Sequence, residues 1–375
     1  MRAQLTLLAV LAAACGGGSP QTAALAEAEV PTEATTDRLM AAAPSAVVGP
    51  GQSIQAAVDA AAPGAVIFVR PGVYREAVAV GTPRLAIVGL GGPAHAPVVI
   101  ENPGGAANGV TVSGGADGFA LVNVTVRGFE ENGVLLAGVS PFLLARVVAR
   151  DNGEYGLFPV RSSDGLVTGC TATGHADAGI YVGQSERVTV AASVARGNVI
   201  GIEIENSSDV RVLANEASDN TAGVLVVLLP GLEVTTSARV DVRLNRVRAN
   251  DRPNFAAPGE LAAAVPAGSG ILVVGADDVH VEGNAVSGNG QVGIGVASTL
   301  ALGALAGLPP EAFAGIDPDP DRVRVAFNAV LGNGTAPSVA LPPADLFWDG
   351  SGEGSCWARN LFRTSEPAAL PACAP

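Results

Sequence analysis

A short strand motif, Gly-Val-x-Val and its variants, returns about every 23 residues and constrains the fold more than any other feature of the chain. It reads Gly109-Val110-Thr111-Val112, Gly133-Val134-Leu135-Leu136, Gly156-Leu157-Phe158-Pro159 and Gly179-Ile180-Tyr181-Val182. It continues as Gly201-Ile202-Glu203-Ile204, Gly223-Val224-Leu225-Val226, Gly270-Ile271-Leu272-Val273 and Gly293-Ile294-Gly295-Val296. A fixed period in the twenties marks a repeat architecture in which each unit buries its apolar face only by stacking on its neighbours. Short Val and Ile runs punctuated by Gly, Asn and Asp make the units strands rather than helices.

A second pattern runs in phase with the first: Val-x-Val-x-x-Asn, with another Asn five residues on. Examples are Val210/Val212/Asn215/Asn220, Val240/Val242/Asn245/Asn250, Val279/Val281/Asn284/Asn289 and Val323/Val325/Asn328/Asn333. Alternating Val points inward, as a half-buried strand requires. Asn at a recurring turn is expected to take left-handed dihedrals and to bond along the stack, so these residues read as structural ladders and not as ligands. With rungs spaced by ~4.8 Å, about ten of them make a rod roughly 50 Å long.

An open stack exposes unpaired backbone and needs a cap. Ser53 suits a helix N-cap, and Ile54, Ala57, Val58 and Ala61 give one apolar face, stopped by Pro63-Gly64. This segment and the following Val69-Arg70-Pro71-Gly72-Val73-Tyr74-Arg75-Glu76 resemble the opening of right-handed parallel β-helix proteins. Those form the pectate-lyase-like superfamily, with its carbohydrate-binding, sugar-hydrolase and NosD-type members. The resemblance implies an all-β fold: a single-stranded right-handed parallel β-helix of about ten rungs over residues 47–375, with a short N-terminal capping helix. It does not imply one activity, because the superfamily holds lyases, hydrolases, epimerases and binding proteins.

Met1-Arg2, the apolar run 5–11 and Ala12-Ala13-Ala14-Cys15 have the order of an export signal. Cys15 followed by Gly16-Gly17-Gly18-Ser19 resembles a bacterial lipoprotein signal, which implies lipidation of Cys15 and a lipid-anchored place in the cell envelope. Residues 16–46 read as a flexible tether. No later stretch is long and apolar enough to span a bilayer. Cys356 and Cys373 then sit in an oxidising compartment and read as a disulfide closing the C-terminal tail. Cys170 reads as a small buried core residue. A net charge of −14 with no basic stripe excludes nucleic acid as a partner. The chain is expected to act as a monomer.

The 47 residues between Gly223 and Gly270 place insertions at 228–237 and 251–269, and a third follows at 298–319 on the same corner as the first. Long loops clustered on a repeat stack mark its functional side. The outward residues two after each repeat glycine include Leu135, Phe158, Tyr181, Leu225 and Leu272. A face this apolar implies a cover: loop, tail, ligand or partner. Asn254, Phe255 and Glu260 lie in the loop beside it. Glu203 and Glu205 are the exceptions on that face, and carboxylates beside Leu and Tyr acquire raised pKa values suited to acid–base work. Asp317, Asp319 and Asp321, spaced by prolines, offer oxygen ligands of the kind Ca²⁺ takes. His95, His175 and His280 are isolated in sequence, and His280 alternates outward as a solvated strand residue.

The loop from Asn254 and the tail Asp345-Leu346-Phe347-Trp348-Asp349-Gly350 to Cys356-Trp357 resemble a narrower exported β-helix group, often lipoproteins, encoded beside a dihaem c-type cytochrome lipoprotein. That resemblance implies localisation and a cytochrome partner but no activity. Neither the Ca²⁺-binding Asp cluster and paired Arg typical of pectate lyases nor the Asp-Pro-His-Glu motif of alginate epimerases is recognisable. The leading expectation is therefore a binding or scaffold module for a polysaccharide or envelope protein. Its alternatives are a polysaccharide lyase, glycoside hydrolase or epimerase using Glu203 or Glu205, and a NosD-like accessory to a metalloprotein or cytochrome.

Overall fold

The computed structural model describes residues 31–91 and 96–374; Cys15 and His95 lie outside them. Strands sort into three sheets of 12, 10 and 11 strands, hereafter sheets 1, 2 and 3. Each strand pairs in parallel with its counterpart one rung before and one rung after. The chain thus visits all three sheets once per turn, which makes a parallel β-helix of about the expected number of rungs.

The Gly-Val-x-Val strands form sheet 3. Their inward residues stack in one file, Val110 on Val134 on Leu157 on Ile180 on Ile202 on Val224 on Ile271 on Ile294 on Leu346. All nine are fully buried, and each contributes roughly 1.5–3 kcal/mol from the area it removes from water. The repeat glycine has a packing cause. A Cβ on Gly201 would lie 2.5 Å from the Gly223 carbonyl oxygen and 2.8 Å from Asn220 Nδ2, so successive rungs approach too closely there for any side chain.

The Asn patterns form two buried ladders. One runs Asn198, Asn220, Asn250, Asn289, Asn333 and ends on Asp345; the other runs Asn215, Asn245, Asn284, Asn328, Asn360. In each step the backbone N–H and the side-chain amide of one Asn both donate to the Oδ1 of the next, at 2.9–3.1 Å in the Asn215–Asn245 step. The left-handed residue is not the Asn, as expected from sequence, but the one before it. Ala214, Asp219, Leu244 and Ala249 have φ of 53°, 56°, 58° and 50°. The Asn must point inward to reach its neighbours, so the chain reversal falls one residue earlier, where the side chain projects outward. His175 stands in the first ladder just before Asn198 and donates its backbone N–H to Asn198 Oδ1. Its ring is buried between the carbonyls of Asn152 and Ala149, and burial lowers its pKa to about 4.

One outer corner carries a third file, with one residue per rung: Asp164, Arg187, Asp209, Arg239, Asp278, Arg322. All six have φ between 51° and 57°. The signs alternate, and each Arg binds the preceding Asp through two nitrogens, at 2.7 and 2.9 Å for Arg187 on Asp164 and 2.8 Å twice for Arg239 on Asp209. These guanidiniums hold the Asp carboxyls below their ordinary range. Bidentate pairing offsets part of the cost of left-handed backbone at non-glycine residues.

Both ends of the stack are closed. Helix α1, Glu33–Met40, precedes the first rung, and helix α2, Ile54–Asp59, covers it. Ser53 accepts the Ala56 N–H as N-cap, and the Glu76 carboxylate takes the Ser53 hydroxyl and the N–H groups of Ile54 and Gln55. Ile54 and Val58 then plug the core. α1 corrects the expectation that residues 16–46 form a tether throughout. Its Leu39 and Met40 pack on an apolar patch of the outer face of sheet 1 that includes Phe68, Val88 and Leu143. Leu39 and Met40 form a face with the buried Thr36 at i, i+3 and i+4, but one that is short and led by a polar residue, so the sequence does not announce it. At the far end, Trp357 joins the core, Trp348 leans on it at 5.5 Å between ring centroids, and the Cys356–Cys373 disulfide closes the tail as expected. Cys170 is buried, which pushes its thiol up to about 12. Among the described residues, no helix is long and apolar enough to cross a membrane.

Candidate active site

The register of sheet 3 places Thr111, Leu135 and Phe158 in one outward file, and continues it from Tyr181 through Glu203, Leu225, Leu272, Gly295 and Phe347. The apolar face read from sequence is therefore one continuous stripe. Glu205 belongs to the next file, beside Gly183 and Val227.

The three insertions fold over the middle of this stripe. Leu229 and Leu232 come from the first. Ala262 and Val265 come from the second, one within and one just after a short 3-10 turn at Leu261–Ala264. Leu302 comes from helix α3, Thr299–Leu305, in the third. The Thr299 hydroxyl donates to the Leu228 carbonyl at 2.9 Å, tying the first and third insertions at their shared corner. Asn254 acts as a clamp within the second. Its amide nitrogen donates to the carbonyls of Ala262 and Val265, and its oxygen accepts the Ala256 N–H. Phe255 points away with Arg252 over its ring. The cover is thus a second hydrophobic layer, but it does not seal the face.

Between layer and sheet lies a cleft of ≈ 310 Å³. Tyr155, Asp177, Glu203, Glu205 and Glu260 supply its polar side chains, and Leu225, Leu229, Leu261 and Val265 are among its apolar ones. Among the described residues that line it there is no Arg, Lys or His. Tyr155 lies against Phe158 with centroids 4.3 Å apart and nearly parallel rings, and Tyr181 meets both edge-on at 5.0 and 4.7 Å. Gly183 leaves the room for this, since a Cβ there would run into the Tyr181 ring.

The two tyrosines hold two of the carboxylates. The Tyr155 hydroxyl donates to Asp177 Oδ2 at 2.8 Å, and Tyr181 to Glu205 Oε1 at 2.7 Å. Glu203 is only 4% exposed, and no described residue gives its carboxylate a hydrogen bond or ion pair. Burial pushes Asp177 up to about 7 against the pull of the Tyr155 bond, with the charges of Glu205, Glu260 and Glu154 adding to the rise. Burial, then the charges of Asp177 and Glu205, raise Glu203 well above the ordinary carboxylate range. Burial raises Glu205 too, and its Tyr181 bond restrains the shift. Both phenols move up, again chiefly through burial. At neutral pH the cluster therefore retains protons, and Glu203, without any donor to favour its ionised form, is the natural holder of one.

Glu203, Glu205, Tyr181 and Leu225 thus converge with Glu260. Leu135 stays in the stripe outside the cleft, and Leu272 lines a smaller apolar cavity of ≈ 70 Å³ with Leu305 and Phe347. Asp317, Asp319 and Asp321 do not converge as Ca²⁺ ligands. Asp317 caps the Asp319 N–H, while Asp321 accepts the Glu353 N–H and pairs with Arg322. Among the described residues, no group of three or more His, Cys, Asp or Glu is placed to hold a metal ion. His280 is half-exposed beside Asp241, the solvated strand residue expected.

Asp177 and Tyr155 were not singled out from sequence. They sit two and one residues before a repeat glycine, a position the outward alternation after the glycine does not sample. A signal was there: Glu131, Glu154 and Asp177 recur at that position in three successive rungs.

Residues 108–251 match the family model described as the right handed beta helix region. Among solved structures, the chain is similar to the A-module of the Azotobacter vinelandii mannuronan C-5 epimerase AlgE6, at 16% identity and a TM-score of 0.55 over 86% of this chain and 94% of that one. The AlgE4 A-module from the same organism gives 15% and 0.56 over 84% and 91%. The DFA-IIIase of Arthrobacter chlorophenolicus A6, solved in complex with GF2, gives 14% and 0.54 over 84% and 87%. No curated protein matches the chain. At these identities the shared property is the fold.

Proposed function

We propose that this right-handed parallel β-helix, of the pectate-lyase-like fold, hydrolyses a glycosidic bond in the cleft over sheet 3. The observation that carries the reading is Glu203, buried and without a donor, facing the cleft between two carboxylates that tyrosines hold. An uncompensated acidic cluster destabilises a fold, and apolar residues of similar size would serve the packing better. Retaining three such groups in a cleft argues for chemistry beyond binding. Glycoside hydrolysis needs a protonated carboxyl and an ionised one on either side of the scissile bond, and no cofactor. Glu203 gives its proton to the departing sugar oxygen. Glu205 or Asp177, each held by a tyrosine bond that favours the anion, takes the proton of the attacking water. Tyr155 offers an aromatic surface in the cleft against which a sugar ring packs.

Elimination or epimerisation at a uronate fits less well. A substrate carboxylate would enter a cleft whose polar side chains are acids and phenols, with no described cation to receive it. A scaffold role would be served by the apolar stripe alone and leaves Glu203 unexplained. The Cys356–Cys373 disulfide supports export to an oxidising compartment, in keeping with a lipid anchor at Cys15. The cytochrome-partner reading rests on the sequence resemblance.

The test is release of new reducing ends from a panel of cationic, neutral and anionic oligosaccharides. Cleavage of at least one, lost in Glu203→Gln with the fold intact by circular dichroism, is expected. No cleavage across the panel, or full activity in the variant, overturns the reading.

A further inference from the structure

We infer that the saccharide taken by the sheet-3 cleft is cationic: an amine-bearing sugar, its ammonium seated between Asp177 and Glu205. This rests on the carbohydrate reading above and names its substrate class.

The rest of the molecule supplies the contrast. Many acids elsewhere on the rod meet arginine: Glu101 with Arg127, Glu216 with Arg248, Glu282 with Arg324, and the whole Asp–Arg corner file. The cleft departs from that practice, with four carboxylates lining it and no cationic side chain among its described residues. Glu154, just outside, adds to the same negative field, and its own carboxyl is raised by burial and by the charges of Glu260 and Glu131. Such a site is complementary to a positive charge supplied from outside the chain.

Two further features select an organic amine over a metal ion. Among the described residues, no three of these carboxylates are gathered closely enough to hold a metal ion, whereas an ammonium needs only two of them and leaves its third N–H to water or to the sugar. One wall is the ring of Tyr155, backed by Phe158 and Tyr181, and aromatic rings attract ammonium groups most where water is excluded. The volume of ≈ 310 Å³ is at the lower end for small-molecule clefts, room for a short saccharide segment and not for a protein loop. Asp177 and Glu205 have raised carboxyls when the cleft is empty, so an arriving ammonium displaces protons from them while Glu203 keeps the one it donates in catalysis, and binding and proton release are coupled.

Isothermal titration of the full chain with a glucosamine tetramer, its fully N-acetylated counterpart and a uronate tetramer tests this in phosphate and in Tris. The amine should bind at least ~10-fold more tightly than the acetylated sugar. The uronate should not bind, and the heat should differ between buffers in the sense of proton release. Asp177→Asn should weaken the amine at least ~10-fold while leaving the melting transition cooperative. Tyr181→Phe, which leaves the carboxylates in place, should keep the charge preference if Asp177→Asn fails to fold. Equal or tighter binding of the acetylated or uronate sugar overturns the inference and leaves the hydrolase reading standing. Proton-releasing amine binding without cleavage does the reverse, and absence of saccharide binding overturns both.

Discussion

Two sets of carboxylates on the same rod are treated in opposite ways. At the corner, Asp164, Asp209 and Asp278 are exposed to water, alternate with arginines, and are held below their ordinary pKa by bidentate bonds. In the cleft, Asp177, Glu203 and Glu205 are withdrawn from water, meet only tyrosine or nothing, and are pushed up. The first arrangement makes acids part of the scaffold. The second keeps acids available, at a cost in stability. Sequence neighbours with the same chemistry thus acquire different roles from where the solenoid turns them.

The comparison breaks most sharply at Glu203. Glu203→Gln should lower turnover by about 10²–10⁴-fold, the usual contribution of a general acid, yet raise stability by roughly 1–3 kcal/mol by removing an unpaired buried acid. The stability gain should depend on pH. Where the folded-state pKa is raised, the native state binds more protons than the unfolded chain, so wild-type stability falls as pH climbs from the ordinary carboxylate value near 3.8 through about 7 for Asp177. Melting temperatures of the two proteins at pH 4 and pH 8 check this, with the difference larger at pH 8. A gain that is the same at both pH values would mean that the cluster is not protonated in the fold.

A ladder residue should give the reverse pattern. Asn284→Ala strands the Asn245 amide groups and the Val242 carbonyl in the interior. It should cost about 3 kcal/mol or more in denaturant unfolding, with saccharide affinity unchanged in the fraction that remains folded. Tyr181→Phe isolates one bond within the cleft. Glu205 loses the donor that restrains its pKa, so the acid limb of the pH–rate profile should move to higher pH. An unmoved limb would remove Glu205 as the base. The smallest effect belongs to the corner. Arg239→Ala frees Asp209, but both partners are half-exposed, so the loss should stay within ~1 kcal/mol. It should be present above the ordinary Asp value near 3.8 and fade as pH falls through the depressed pKa of Asp209.

How far the sequence carried these conclusions depended on periodicity. The inward file from Val110 to Leu346 and the Asn ladders were legible because stacking forces one residue type to recur at a fixed interval. Glu203 and Glu205 stood out for the same reason, as charges where apolar residues were due. Asp177 and Tyr155 did not, because they precede the glycine and reach the cleft only through the turn that presents them. The cover was legible as insertions, but which side chains it brings down on the face depends on loop conformations, and these follow contacts such as the Asn254 clamp and the Thr299–Leu228 bond. Helix α1 was illegible because its buried face is only three residues long, Thr36, Leu39 and Met40, and its most buried member is polar.

The closed ends carry a consequence of their own. A stack of identical backbone rungs is a template: its terminal sheet edges match the opening edges of another copy, and head-to-tail addition would never close on itself. Helix α2 with its Glu76 staple blocks one end, and the tryptophan-topped, disulfide-bound tail blocks the other. Between them they cover the edges that such end-to-end growth of a fibre would need.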